Sequence, residues 1–168
     1  YPLRRQRQMC IRDRFNYAGA PWLTQKWVRK VKAAYSDVTP YGGYRDDEDQ
    51  GQMGALGVLM AIGLFEVDGG CAEKPFYEIT SPLFDKVTIH LDNRYYPGKT
   101  FQIITVGNSA DNMYIQRASF NGKKWNKCWF YHEDFIKGGT LELQLGTTPN
   151  KKWGIEEFPP SSVSSDKD

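Results

Sequence analysis

The sequence predicts an α+β fold in which a short helical region precedes an antiparallel β-sheet or small sandwich. Three observations carry this. Apolar residues from Pro21 to Tyr35 follow a 3.6-residue period, positions 50–65 carry no charge at all, and from Tyr77 onward the period changes to two. The 168 residues, 40% hydrophobic and 14% aromatic, suffice for one ordinary domain or pieces of two, and the chain as a whole is too apolar to be disordered.

Residues 1–14, YPLRRQRQMCIRDR, have neither period. The run Arg-Gln-Arg-Gln-Met-Cys-Ile-Arg-Asp-Arg resembles the translated read-through of a sequencing adapter, and the chain opens on Tyr rather than Met. The expectation is that this segment is foreign to the fold; the alternative is a basic arm for nucleic acid or anionic lipid. The segment also decides the charge. Its five arginines against Asp13 give +4 of a formal net +2, so the other 154 residues hold 17 cations against 19 acids, or −2. No basic face then argues for nucleic acid. The apolar part of the uncharged run, Met53 to Phe65, is thirteen residues, too short to span a membrane.

Pro21 is a favoured first helical residue, and Leu23, Trp27, Val28, Val31, Ala34 and Tyr35 lie on one face of the helix it opens. Arg29, Lys30 and Lys32 load its C-terminal half, where cations suit the helix dipole. A loop with Pro40, Gly42 and Gly43 follows and delivers the chain to Asp46-Asp47-Glu48-Asp49. A second helix is expected from about Gly51 to Leu64. Met53, Leu56, Met60 and Leu64 form one stripe while Val58, Leu59 and Ile62 fill the other sides, so the pattern predicts burial nearly all round. Gly54, Gly57 and Gly63 each cost about 1 kcal/mol of helix propensity, which makes sense if other helices approach closely.

Glu66 to Pro75 reads as a linker. Beyond it, Tyr77/Ile79, Val87/Ile89/Leu91, Phe101/Ile103/Thr105, Met113/Ile115 and Leu141/Leu143/Leu145 alternate with polar partners, and Gly98-Lys99 and Asn121-Gly122 read as hairpin turns. The C-terminal PPSSVSSDKD is polar and expected to be disordered.

Several chemistries can be weighed on these residues. Asp46-x-Glu48-x-Gln50-Gly51 imitates the opening of an EF-hand, but the twelfth position is Gly57 where a bidentate Glu is required. Cys10, Cys71 and Cys128 have no metal-site spacing and an odd count; Cys71 and Cys128 either pair or remain free thiols. His90 sits on the polar phase of a strand and His132 at a turn or short helix, neither with the surroundings of a nucleophile–base pair. Trp125, Trp129, Phe130 and Tyr131 either stack on sugar rings, which would make the β region a non-catalytic carbohydrate-binding sandwich, or pack in the core. The acidic tetrad is either a solvated helix cap or a carboxylate cluster of the kind glycoside hydrolysis uses, one group activating water and another protonating the leaving oxygen.

From residue 15 to about 154 the chain resembles the C-terminal part of a family 92 glycoside hydrolase, the calcium-dependent exo-α-mannosidases. The resemblance rests on FNYAGAPW (15–22) with TQKWVRKV after it, DEDQGQMGA (47–55), IGLFEV (62–67), YEITSPLFDKVTIHL (77–91), NMYIQRASFNGK (112–123), HEDFIKGGTLEL (132–143) and PNKKWG (149–154). It implies that 15–65 is the end of an (α/α)6 barrel, 66–75 a linker, 76–157 a C-terminal β region and 158–168 a disordered tail. It implies an inverting hydrolase that releases terminal α-mannose from glycans, in a secreted, periplasmic or cell-surface protein. Asp49 falls on the family's general base and Asp47 on the carboxylate that helps hold the attacking water. The family's general acid, its Asn-Glu and His-His motifs, and the residues that set the linkage cleaved precede Phe15. The family's Ca2+ ion contacts the mannose 2- and 3-hydroxyls, and no direct ligand for it falls on this chain. Two positions depart from the family pattern: Tyr44-Arg45-Asp46 replace a Pro-Gly approach to the acids, and Leu56-Gly57 replace a Trp-Tyr pair.

Overall fold

The structure, a computed structural model, describes residues 14–34, 51–66 and 69–161. Three helices come first: α1 (Arg14–Tyr17), α2 (Pro21–Ala33) and α3 (Gln52–Ile62). A three-stranded antiparallel sheet has the order β1-β2-β7, with β1 at Leu64–Phe65, β2 at Phe76–Ile79 and β7 at Trp129–Tyr131. A five-stranded sheet has the order β3-β4-β8-β5-β6, with β3 at Lys86–His90, β4 at Thr100–Val106, β5 at Tyr114–Phe120, β6 at Lys123–Lys124 and β8 at Gly139–Gly146. The short α4 (His132–Ile136) joins β7 to β8.

The α+β class stands, with one correction to the sheet. β8 pairs antiparallel with β5 but parallel with β4, Phe101 opposite Gly139 through Val106 opposite Gln144, so the larger sheet is mixed. An alternating pattern fixes which face of a strand is buried and says nothing about its direction. The inward residues are those expected for β4 and β8: Phe101, Ile103 and Thr105, with Leu141, Leu143 and Leu145, are buried. In β5 a bulge between Ile115 and Arg117 shifts the phase, so that Ala118 and Phe120 continue the inward face that Ile115 begins. Of the two expected turns, Asn121-Gly122 closes the β5–β6 hairpin with φ of 51° and 76°, the left-handed pair a tight hairpin needs. Gly98-Lys99 instead ends a longer loop, and the Gly98 N–H donates to the Ile136 carbonyl.

One apolar cluster joins the sheets face to face, with Phe101 stacked on Phe130 at 5.7 Å between ring centroids and Tyr77 tilted on Phe130 at the same separation. The other face of β2 carries Phe76 and Glu78, both buried, so this strand is enclosed on two sides and does not alternate as expected. Trp129 packs edge-on to Phe76 at 5.9 Å and donates its indole N–H to the Glu157 carbonyl. The order of the chain continues into the C-terminal segment, where Pro159 is buried and the Tyr17 hydroxyl contacts the Pro160 carbonyl at 3.4 Å.

The helices depart most from expectation. The buried side of α2 is Pro21, Thr24, Gln25 and Val28, whereas Trp27 is 41% exposed. The seam faces a β-sheet that has backbone groups left to satisfy, and this rotates the helix toward its polar residues. Gln25 Oε1 accepts the Ile115 N–H at 2.9 Å, beside the bulge where β5 leaves its ladder. In α3 Met53, Leu56 and Met60 are buried, the last two packed with Val28, but Val58 on the far side is 60% exposed, so among the described residues the helix is not enclosed all round.

Candidate active site

Asp46, Asp47, Glu48 and Asp49 lie outside the described residues, so the site is built from the elements that flank them in sequence. α2 ends at Ala33, and α3 begins at Gln52, three residues after Asp49. The position before α3 is Gly51, at φ 82°, whose carbonyl accepts the first helical bond from the Ala55 N–H. α2 and α3 meet through Val28, Leu56 and Met60, with Val31 and Phe65 against them. Leu56, one of the departures from the family pattern, thus fills the contact between the two helices.

The far end of α3 is held from the segment that follows β2. The Thr80 N–H donates to the Gly63 carbonyl at 2.8 Å and the Leu83 N–H to the Ala61 carbonyl at 2.9 Å. Gly63 caps the helix at φ 83°, and a Cβ there would stand 2.4 Å from the Pro82 ring, so only glycine fits. The same segment reaches α2. Arg29 Nε donates to Ser81 Oγ at 2.9 Å and Nη2 to Asn108 Oδ1 at 2.6 Å, while Asn108 Nδ2 donates to the Leu83 carbonyl and to Asp85 Oδ1. Burial pulls the Arg29 guanidinium below its ordinary range.

A second polar contact lies on the other face of β2. Asn16, fully buried in α1, donates from Nδ2 to Glu78 Oε2 at 2.5 Å. Glu78 has no exposed surface; burial of the Cys128 thiol, and then the charge of Glu78, push that thiol up to about 12. Cys71 is exposed and Cys128 buried, and both are free thiols.

The other candidates resolve into structure. Trp129 and Phe130 are core residues. Trp125 is half-buried, its ring 5.2 Å from Phe120 and its indole N–H given to the Trp129 carbonyl. Lys127 sits over Trp125 and Trp129, 5.7 and 5.0 Å from their centroids, and pairs with Glu157 at 2.6 Å. These rings offer no free platform for a sugar. His90 is exposed on β3. His132 has the Tyr77 hydroxyl 3.1 Å from Nδ1 and stacks on Phe135. Burial, then the charges of Glu66 and Tyr96, raise the Tyr77 phenol. Among the described residues no group of three or more His, Cys, Asp or Glu is placed to hold a metal ion.

Sequence reasoning passed over Asn16, Thr24, Gln25, Glu78 and Ser81, and gave Arg29 only a helix-dipole role. A buried polar residue leaves no periodic signal, and the one available sign is that all six fall inside the stretches that carry the family resemblance.

Residues 7–147 match the glycosyl hydrolase family 92 catalytic domain. A secreted glycosidase of Arthroderma benhamiae, itself uncharacterized, is 36% identical over 152 residues, covering 88% of this chain and 18% of the relative. A family 92 α-mannosidase from Bacteroides thetaiotaomicron superposes with a TM-score of 0.78 at 29% identity, and an inverting mannosidase of the same family and species with 0.76 at 36%. Each superposition covers 88% of this chain and 19% of the larger structure, so the chain spans under a fifth of each of these three relatives. On the extent of that match, the chain belongs to glycoside hydrolase family 92.

Proposed function

We propose that the chain is the base-bearing part of an inverting exo-α-mannosidase, acting on terminal α-mannose of glycans. The observation that carries the reading is the position of Asp47-Glu48-Asp49, inside the family match and three residues before a helix start. A helix N-terminus favours ionised carboxylates, which is the state a general base needs. In this reading Asp49 takes the proton from the attacking water and Asp47 orients that water by accepting its other hydrogen bond. Protonation of the leaving oxygen from the opposite side of the sugar requires a general acid outside these 168 residues. Inversion needs the two carboxyls about 6.5–9.5 Å apart, leaving room for the water.

The helices form the end of an (α/α)6 barrel in the same reading, and exposed Val58 belongs to the surface that further helices would cover. Calcium, with ligands likewise outside this chain, would hold the mannose hydroxyls. A secreted, periplasmic or cell-surface location is supported by the secreted fungal relative.

In the longer polypeptide that carries this segment, Asp49→Asn is expected to lower kcat on an aryl α-mannoside by about 10²–10⁴-fold, and NMR of the first product should show the inverted anomer. Wild-type turnover by the variant removes Asp49 from the mechanism. The 168-residue chain alone is expected to release no mannose; calcium-dependent release by it would refute the division of labour.

A further inference from the structure

On the outer face of the five-stranded sheet, β5 and β8 form the floor of an open cleft of about 800 Å³, within the range of ligand-binding clefts, about 300–1,000 Å³. The bulge in β5 decides what this floor presents. Ile115 and Ala118 are buried, and the extra residue lets both residues between them, Gln116 and Arg117, line the cleft; a regular strand would turn one of them inward. The backbone that the bulge frees holds a wall. The Gln116 carbonyl accepts from Asn150 Nδ2 at 2.9 Å, and Gln116 Nε2 donates to the Thr148 carbonyl at 2.8 Å, which fastens the segment after β8 beside the sheet. Asn150 Oδ1 accepts the Lys152 N–H, buried Trp153 continues the wall, and Asn126 Nδ2 donates to Glu156 Oε1. The rim is thus tied together by its own hydrogen bonds.

The floor is not committed in this way. Arg117 stands opposite Gln144 and Ser119 opposite Glu142, which makes Arg117 and Glu142 diagonal neighbours. Among the described residues neither closes an ion pair, and the exposed side chains of Gln144 and Lys124 make no hydrogen bond. Charge then chooses the ligand. Arg117, Lys124 and Lys152 face Glu142 and Glu156, so neither sign is concentrated as a phosphate or a polyanion would require. Apart from Ala118 and Trp153 the lining is polar, which leaves little for an apolar ligand to bury. Neighbouring guanidinium, carboxylate and amide groups do match a row of hydroxyls, each of which donates and accepts. We propose that this cleft binds a neutral oligosaccharide, a stretch of the mannose-containing glycan on which the protein acts. The proposal rests on the reading of glycans as substrate and not on the roles of Asp47 and Asp49. It assigns binding to these side chains and no part in bond cleavage. With no aromatic face open to stack on a sugar, the binding is expected to be weak.

The test uses the longer polypeptide that carries this segment, with calcium added, an aryl α-mannoside as the short substrate and a soluble α-mannan as the long one. Arg117→Ala, Glu142→Ala and Gln144→Trp change exposed positions of the floor, the last so as to fill it. Lys86→Ala, an exposed cation on β3 that does not line the cleft, is the control. Each alanine variant in the cleft is expected to raise KM for α-mannan by about 2–10-fold, as for one lost hydrogen bond, with kcat unchanged and the aryl substrate turned over as by wild type. Gln144→Trp is expected to raise that KM further. Migration through a native gel containing α-mannan needs no turnover; the same three variants are expected to be retarded less than wild type, and Lys86→Ala as much. If the three variants keep the wild-type KM and retardation while wild type hydrolyses α-mannan, the cleft proposal falls alone. It also falls if the aryl substrate is affected equally, which would put these groups in the reaction, or if Lys86→Ala acts equally, which would reduce the effect to net charge. If wild type neither hydrolyses α-mannan nor is retarded by it, the glycan reading falls and the cleft proposal with it.

Discussion

The two sheets and the helical segment are held by different physics. Between the sheets, Phe101, Ile103, Ile115, Leu141 and Leu143 are excluded from water to within about one percent, and aromatic rings fill the space. Between the helices and the sheets, hydrogen bonds join Asn16 to Glu78, Gln25 to the Ile115 N–H, and Arg29 to Ser81 and Asn108, beside the apolar packing of Leu59 and Ile62 of α3 on the core. An apolar core tolerates small shifts of register among its members; a set of single hydrogen bonds to buried groups does not. The sheets thus supply stability, and the helical seam supplies a defined placement at modest net gain.

The sharpest way to break this contrast is to weaken the sheets. Phe101→Ala should cost about 3–5 kcal/mol in chemical denaturation of the 168-residue chain, because a ring touching Phe120, Phe130 and Phe135 leaves a cavity. A loss near 1 kcal/mol would show that the core is looser than its burial. Gln25→Leu comes next, at about 1–3 kcal/mol: the volume is kept, but a buried Ile115 N–H loses its acceptor. A neutral result would mean that the seam carries no weight in folding.

Cys128 gives a smaller effect that appears only in alkali. Its folded pKa of about 12 lies above the ordinary 9.0, so the native state keeps a proton that the unfolded chain gives up. The contribution is fully present below pH 9 and is lost as the pH rises through 9 to 12. Cys128→Ser or Cys128→Ala should flatten the fall in stability over that window, and mass spectrometry after alkylation at pH 8 should label exposed Cys71 and spare Cys128. Equal labelling would contradict its burial. Smallest of all, Val58→Asp should change the stability of this chain by less than about 0.5 kcal/mol, since the side chain meets water there. A large loss would show that the outer side of α3 is already covered.

The same contrast explains what the sequence disclosed. Apolar alternation marks the inward faces of β4 and β8 without ambiguity, and Asn121-Gly122 announces its own turn, because both signals are local. The direction of β8 was hidden, since antiparallel and parallel strands share a period of two. α2 misled in part: of its expected apolar stripe Val28 docks and Val31 packs beside it, while Trp27 is exposed, and Gln25 docks instead for the sake of one backbone N–H that only the folded sheet leaves open. Glu78 was read as an outward polar residue in an alternating strand, and only the second covered face of β2 makes it a buried one. At the candidate site the motif and the flanking helix could be read, whereas the contacts of Ser81 and Arg29 span 52 residues of sequence and have no local signature.

The place of β8 has a consequence for the order in which the molecule is made. Among the described residues it is the last strand in sequence yet the middle strand of its sheet, between β4 and β5. On the ribosome, β4 and β5 both emerge before β8 and present open edges until it arrives, the arrangement that invites pairing with a neighbouring nascent chain. Ile115 stays without its ladder until Leu145 arrives, and so the bulge beside it, which Gln25 satisfies, forms last. The helical seam is then a late event of synthesis, completed only when the final strand has closed the sheet.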